Sequence, residues 1–291
     1  MTAAADHYAV LGNPVAHSRS PWIHARFAEL TGQPLSYRAQ LCPLGGFVPL
    51  LAELRHQGLR GCNVTVPFKF DAFAACTHTT ERARLAQACN TLTLAGDEVL
   101  GDNTDGLGLV ADITVNAGVP LAGQRVLLLG AGGAAAGVLG PLLGQHPREL
   151  VVCNRTPAKA DALVHSHLAH ATSQQCELKS QAIQAPEGVF DIIINGTASS
   201  LGGGGVPVPA RVLRPGTLAV DMMYGPNAQP FLDWAHQHGA VGRDGLGMLV
   251  EQAAAAFAIW RGVHPPAAQV LAELRALLQA QASPAPAKPQ T

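Results

Sequence analysis

Four short stretches of this chain carry more polar side chains than turning requires. In Gly12-Asn13-Pro14-Val15-Ala16-His17-Ser18-Arg19-Ser20-Pro21, two hydroxyls stand just before a helix expected to begin near Pro21. Serine in such a place ordinarily caps the helix. Ser18 and Ser20 can also hold a carboxylate near the helix start, but on this stretch alone capping by Ser20 is the stronger reading. In Gly61-Cys62-Asn63-Val64-Thr65-Val66-Pro67-Phe68-Lys69, Asn63 and Thr65 share one strand face by period two and can both meet one polyhydroxy ligand. Lys69 follows just past the strand end, where α/β folds place ligand sites. Ala88-Cys89-Asn90-Thr91-Leu92 supplies a further amide, Asn90. Gly101-Asp102-Asn103-Thr104-Asp105-Gly106 sets two carboxylates before another helix. Alone they would pass for a capping cluster; beside a cationic Lys69, one of them becomes its candidate partner.

Lys69 is the only lysine in these four stretches. A carbonyl that accepts a hydride develops an alkoxide, which needs a proton or a cation close by. A lysine held by a carboxylate can serve as that acid.

A source of hydride is suggested by RVLLLGAGGAAAGVL, residues 125–139. A buried strand runs straight into Gly130-Ala131-Gly132-Gly133-Ala134-Ala135 and then a helix, the G-x-G-x-x-A form of the dinucleotide fingerprint. Gly130 permits the tight turn, Gly132 lets the backbone approach a pyrophosphate, and Ala135 keeps helix and strand close. The helix start offers N–H groups and a positive dipole end to the same pyrophosphate. An NAD enzyme places Asp or Glu at the end of the next strand. Here Leu150-Val151-Val152-Cys153 ends in Asn154-Arg155-Thr156, with Lys159 one turn later. Two cations and a hydroxyl without a carboxylate suit a 2′-phosphate, so NADP is favoured over NAD.

These residues need elements to position them, and short apolar runs alternating with helical periods predict an α/β fold. Strands are expected at Tyr8–Gly12, Leu35–Gln40, Gly61–Val66, Thr91–Ala95 and Glu98–Gly101, the last two flanking a Gly96-Asp97 hairpin turn. Helices are expected at Pro21–Thr31, Gly45–His56, Glu81–Ala88 and Leu107–Ala117. Further strands follow at Arg125–Leu129, Leu150–Cys153, Phe190–Asn195 and Thr217–Asp221, then helices at Leu249–Arg261 and Ala267–Ala280. Gln252 sits in an apolar helical stretch, where a buried polar side chain wants a partner such as a ligand hydroxyl. His165, His167 and His170 fall in a polar helical segment without acidic or cysteine neighbours at ligand spacing, which reads as a solvated face and no metal site.

The 291 residues suffice for two domains, and 48% hydrophobic with 13% charged residues allows a substantial core. A net charge of −1 argues against a nucleic-acid partner. The six cysteines form no C-x-x-C pair and read as reduced, mostly buried thiols. Val126 to Gln145 carries no charge and is long enough to span a bilayer, yet its glycines and Pro141 favour strand, turn and helix. With no signal-like N-terminus, a cytoplasmic chain without a membrane partner is expected. The tail SPAPAKPQT is expected to be disordered.

GNPVAHSRSP, NVTVPFK, CNTL, GDNTDG, GAGGAA, NRT, DMMY and DGLGMLVEQ, in this order and spacing, resemble the shikimate dehydrogenase family from about Val10 to Gly262. The resemblance implies two domains, a Rossmann-type NADP-binding domain at 106–247 and an α/β substrate-binding domain from 1–105 plus 248–282, with residues 283–291 as a tail. It implies NADPH-dependent reduction of 3-dehydroshikimate to shikimate, on the route to aromatic amino acids, in a homodimer. It assigns Ser18 and Ser20 to the substrate carboxylate, and Asn63, Thr65, Asn90, Asp105, Tyr224 and Gln252 to the ring or its pocket. Lys69 and Asp105 become the catalytic pair. Gly130, Ala131, Gly132, Gly133, Ala134, Asn154, Arg155, Thr156, Lys159, Met222 and Gly245 match NADP contacts, and Glu81 a further, weaker one. The chain departs from the family at Gly196, usually Ala, at the run Gly202–Gly205, and at Cys89, usually Val. Two rivals stand beside this reading. One is a broader quinate/shikimate dehydrogenase using NAD, against which Asn154-Arg155-Thr156 argues; the other is a non-catalytic sensor, against which Lys69 and Asp105 argue.

Overall fold

The computed structural model describes residues 5–197, 206 and 208–282, so the run Gly202–Gly205 and the tail 283–291 lie outside the described residues. The first part of the chain contributes β1 (Asp6–Gly12), α1 (Ser20–Thr31), β2 (Leu35–Leu41), α2 (Phe47–His56), β3 (Leu59–Val64), α3 (Lys69–Ala74), β4 (His78–Thr79), α4 (Glu81–Ala86), β5 (Thr91–Ala95) and β6 (Glu98–Asp102). They build a six-stranded sheet of order β2-β1-β3-β5-β6-β4. β1 runs parallel to both β2 and β3, because α1 and α2 carry the chain back for each return. β5 is antiparallel to β3 and β6, with Gly96 at φ 58 turning the β5–β6 hairpin. Val10 pairs with Asn63 and Leu11 with Val64, so the loops leaving β1 and β3 emerge side by side.

The chain then forms α5 (Asp105–Ala111), a π-helical turn (Asp112–Asn116), β7 (Arg125–Leu129), α6 (Gly133–Leu143), β8 (Glu149–Asn154), α7 (Pro157–Ser173), β9 (Glu177–Ala182), β10 (Ile192–Asn195), β11 (Leu218–Asp221), α8 (Gln229–Gln237), β12 (Val241–Arg243), α9 (Leu246–Arg261) and α10 (Ala267–Ala282). The second sheet has the order β12-β11-β10-β7-β8-β9 and is parallel throughout. It winds outward both ways from β7, the Rossmann order, whose ligand crevice lies at the C-terminal strand ends where the winding reverses. Both faces of β7 are buried, as parallel sheets require. Val126 and Leu128 join a core with Leu139 and Leu109, while Leu127 and Leu129 join another with Phe190 and Phe231.

The two sheets are joined where α5 crosses α9. A Cβ on Gly108 would sit 2.6 Å from the Gln252 nitrogen and the Met248 carbonyl, so only glycine allows this approach. Asp105 and Gln252 are thereby delivered to the crossing from opposite helices. On its far side, α9 packs Val250 and Phe257 against Ile23 and Phe27 of α1 and Val270 and Leu274 of α10. Among the described residues, no helix is long and apolar enough to cross a membrane.

Two expected elements are corrected. The helix expected at Leu107–Ala117 begins earlier, at Asp105, and widens into the π turn at Asp112. The strand expected at Gly61–Val66 is β3, Leu59–Val64, so Thr65 lies in the following loop. At the π turn, Asp112 is wholly buried and accepts from Arg243 of β12 at 2.8 and 2.5 Å. Arg243→Met would strand that carboxylate without its cation, a loss on the order of 3–5 kcal/mol. A lowered urea midpoint for the variant is the expected observation; an unchanged midpoint would mean that the pair holds nothing together.

Candidate active site

Lys69 is the first residue of α3, one short loop beyond β3. Its Nζ lies 2.5 Å from Asp105 Oδ2, with the two side chains 16% and 10% exposed. The other Asp105 oxygen accepts from Asn90 Nδ2 at 2.8 Å, and the Asp105 N–H donates to Asn103 Oδ1 at 3.1 Å. Asn90 Oδ1 in turn accepts from the Thr104 N–H at 2.8 Å. Asp102, the other candidate partner, is turned elsewhere: it accepts from Arg82 and from Thr80 Oγ1, tying β6 to α4. Asn103 and Thr104 therefore act as positioning residues that the spacing of the acids alone does not reveal.

Asn63 is held by protein partners, with one acceptor position of its Oδ1 left over. Its Nδ2 lies 3.1 Å from both the Asn90 carbonyl and Thr91 Oγ1, and its Oδ1 accepts from the Tyr37 hydroxyl at 2.7 Å. Tyr37 stacks on His24 at 4.2 Å with an interplanar angle of 5°. Burial pushes His24 down to about 3, which keeps the ring neutral at this contact. Tyr37 and His24 stand on β2 and α1, outside the polar stretches, and local sequence carries no signal of the contact. Thr65, though past the strand, lines the same cleft as Asn63. Ser20 does not cap α1 as expected; it is the first helical residue, with Arg19 at the cap position. Ser18 accepts from the Ser20 N–H at 3.3 Å.

These groups surround a cleft of about 470 Å³ between the two sheets. Ser18, Ser20, Asn63, Thr65, Lys69, Asn90, Asp105 and Gln252 line it from the first sheet and α9, with Ala134, Met222, Tyr224 and Gly245 across from them. Gln252 Oε1 lies 3.3 Å from Asn90 Nδ2. Asn195 and Thr197 also line the cleft, although the sequence motifs did not single them out. Asn195 Nδ2 donates to Asp221 Oδ2 at 2.9 Å, and Asp221 Oδ1 accepts from the Met223 N–H at 2.8 Å. This stitches the ends of β10 and β11 together and fixes the Met222–Tyr224 loop. A Cβ on Gly196 would come 3.0 Å from Met222 Sδ, so a larger residue there would have to displace the end of that side chain.

The fingerprint turn has the shape a dinucleotide needs. Gly130 takes φ 109, and its N–H donates to the Cys153 carbonyl at 2.7 Å, locking the turn to β8. Gly132 precedes α6, and a Cβ there would face open space, so the backbone is bare toward any approaching phosphate. Ala131 and Gly133 flank it. Leu129 pairs with Cys153, so Asn154, Arg155 and Thr156 at the end of β8, and Lys159 in α7, stand beside this turn. Arg155, Thr156 and Lys159 are exposed, and neither cation has an ion-pair partner among the described residues. The donor set fits a nucleotide bearing a 2′-phosphate.

Two residues lie in surroundings other than those expected. Glu81, at the start of α4, lines a separate hollow with Gly140, Pro141 and Gly144. Those residues are at the far end of α6, roughly 15 Å of helix from the turn. His167 is buried in α7, with Nδ1 3.0 Å from the Leu163 carbonyl, so the histidine-bearing segment is not wholly a solvated face. His165 is exposed. No group of three or more His, Cys, Asp or Glu among the described residues could hold a metal ion.

Burial raises Asp221 from 3.8 to about 6. A carboxyl that binds its proton more tightly when folded favours the fold at low pH, and this contribution is lost as pH rises from about 3.8 to about 6. Asp221→Asn removes that titration. Its stability relative to the parent should therefore rise across this window in urea melts, by on the order of 3 kcal/mol at most. Parallel pH profiles would show that Asp221 does not titrate abnormally.

Comparison with known proteins identifies the family. Residues 10–92 match the family model described as shikimate dehydrogenase substrate binding domain, 112–202 that of shikimate / quinate 5-dehydrogenase, and 245–275 that of shikimate 5′-dehydrogenase C-terminal domain. Shikimate dehydrogenase (NADP(+)) of Acidovorax sp. strain JS42 is 67% identical over 282 residues, 97% of this chain and 100% of the relative. The enzyme of the same description from Paracidovorax citrulli is 64% identical, covering 95% and 99%. Shikimate 5-dehydrogenase from Thermus thermophilus, solved with NADP(H) and shikimate, superposes with a TM-score of 0.81 at 32% identity, covering 93% and 99%. Matched by these family models and 67% identical to a curated relative over 97% of its length, the chain belongs to the shikimate dehydrogenase family.

Proposed function

We propose that this chain catalyses the reversible, NADPH-dependent reduction of 3-dehydroshikimate to shikimate. The observation that carries the reading is the Lys69–Asp105 pair, largely buried in a cleft that also opens to the fingerprint turn side. The dinucleotide, when bound, supplies the hydride; the protein supplies position and electrostatics. One of the three Lys69 N–H donors goes to Asp105, leaving others for a substrate oxygen. In the reduction, Lys69 passes a proton to the oxygen as it becomes an alcohol, and in the reverse direction it takes one back. Asp105 keeps the ammonium aimed and offsets its charge. Ser18 and Ser20 bind the ring carboxylate, Asn63, Thr65, Asn90 and Gln252 its hydroxyls, and Tyr224 lines the pocket. Arg155, Thr156 and Lys159 hold the 2′-phosphate, and Gly130 to Ala134, Asn154, Met222 and Gly245 the rest of the nucleotide.

Family resemblance supports the finer organisation: residues 1–105 with 248–282 as the substrate domain, 106–247 as the nucleotide domain, and a cytoplasmic homodimer. Sedimentation of the purified protein tests the dimer.

Lys69→Ala is expected to lower kcat by about 10²–10⁴-fold while KM for shikimate changes much less. Equal loss in both would make Lys69 a binding residue. The parent enzyme should reduce NADP with shikimate, followed at 340 nm, in preference to NAD or quinate. Arg155→Ala should cost roughly 10–100-fold in kcat/KM with NADP and little with NAD. Comparable losses with both nucleotides would remove Arg155 from 2′-phosphate recognition.

A further inference from the structure

Cys76 and Cys89 lie outside the cleft, yet Cys89 is joined to the catalytic groups through the backbone. The two sulfurs are 3.8 Å apart, and both lean over Gly101 of β6. A Cβ on Gly101 would collide with Cys76 Sγ and come within 2.6 Å of Cys89 Sγ. The missing side chain makes the space in which the two thiols meet. Cys76 is partly exposed in the loop between α3 and β4, whereas Cys89 is buried just before β5. Cys42, Cys62, Cys153 and Cys176 are all buried. The Cys89 N–H donates to the Lys69 carbonyl at 2.9 Å, and its neighbour Asn90 holds Asp105.

We propose that Cys76 and Cys89 form an oxidisable dithiol, a modification site for hydroperoxides whose disulfide state weakens the Lys69–Asp105 machinery. The thiols are unequal in the way such chemistry needs. Cys76 Sγ donates to the Ala72 carbonyl at 3.0 Å and lies against Cys89 Sγ; the contact lowers the pKa of the partly exposed Cys76 thiol, while the same contact, together with burial, raises that of Cys89. The Cys76 thiolate attacks a peroxide oxygen; the O–O bond breaks, sulfur is oxidised to the sulfenic acid, and the alkoxide or hydroxide leaves and takes up a proton. Cys89 sulfur then attacks Cys76 sulfur, its thiol proton departing with the displaced hydroxyl as water. In sum, two thiols and one hydroperoxide give a disulfide, one alcohol or water, and one water; a dithiol reductant reverses the change.

A disulfide needs the sulfurs at about 2.05 Å, so they must close from 3.8 Å. Cys89 is pinned to Lys69 on one side and to Asn90 on the other, and movement there is transmitted to both. A misplacement of about 1 Å at a catalytic group can cost up to roughly 100-fold in rate.

The test treats the intact protein with hydrogen peroxide, blocks the remaining thiols by alkylation, maps the peptides, and assays shikimate oxidation before and after dithiothreitol. The expected result is loss of two hydrogen atoms, a linked Cys76–Cys89 peptide, and a roughly tenfold or greater fall in kcat/KM that dithiothreitol restores. Cys76→Ser and Cys89→Val should keep basal activity and lose the peroxide response. Peptide mapping needs no activity, so it stands apart from the assignment of the substrate. A bond mapped to Cys62–Cys76, sulfinic acid on Cys76 with Cys89 still alkylated, or equal inactivation of both variants would each overturn the proposal. A linked peptide with unchanged kcat/KM would overturn its effect on the catalytic pair.

Discussion

The pairing of Lys69 with Asp105 in a mostly desolvated cleft is the constraint on which the rest of the molecule depends. Removing each ion from water costs on the order of several kcal/mol, and mutual attraction offsets this only when the remaining lone pairs and protons are also satisfied. Asp105 meets that condition through Asn90 on its second oxygen and Asn103 on its backbone N–H. Asn90 is itself set by the Thr104 N–H, and its carbonyl is shared with Asn63. The network is closed by Tyr37, whose ring is clamped by neutral His24. A charged His24 would sit unpaired in an aromatic pocket, so the low pKa and the apolar stacking are two faces of one requirement.

Such a network works only if its members arrive from fixed directions, and they come from β3, β5, α3, α5 and α9. The α5–α9 crossing is therefore more than a linker. Its close approach at Gly108 sets the spacing between Asp105 and Gln252, and the Asp112–Arg243 pair secures α5 to β12 one turn further on. Asn116 adds a 3.0 Å hydrogen bond to Glu251 of α9. Both helices begin at the cleft, so a shift in this joint would move Asp105 and Gln252 relative to each other.

What was legible in the sequence follows from where burial is complete. The strands β7, β8, β10 and β11 are apolar on both faces, so their composition announces them without help from partners. β4, β9 and β12 are short or polar edge strands, stabilised by pairing with a neighbour that local sequence does not contain. α3 is six residues long, below the length at which propensity can sustain a helix, and is held instead by burial of Ala72. The same division runs through the site. Motif spacing identified Lys69, Asn90 and the two acids. Spacing left Asp102 and Asp105 as alternatives, the resemblance chose Asp105, and the physical reason lies in three dimensions: Arg82 and Thr80 occupy Asp102. Glu81 shows the same limit: a match in linear order says nothing about which end of α6 a side chain faces, and Glu81 lines a hollow at its far end.

The two sides of the cleft are built on opposite principles. On the substrate side, the carboxamides and acids already have protein partners, so donors and acceptors are oriented before any ligand arrives and little reorganisation accompanies reaction. On the nucleotide side, Gly132 faces open space, and Arg155 and Lys159 extend from the surface without ion-pair partners among the described residues. These groups are left free to meet phosphates directly. Exposed cations act across solvent, so their attraction is screened by salt over about 8 Å at physiological ionic strength, whereas the buried Lys69–Asp105 pair is shielded from that screening. Salt should accordingly weaken nucleotide capture well before it disturbs the chemical step, and a rise in KM for the nucleotide at constant kcat is the form that this difference in construction would take.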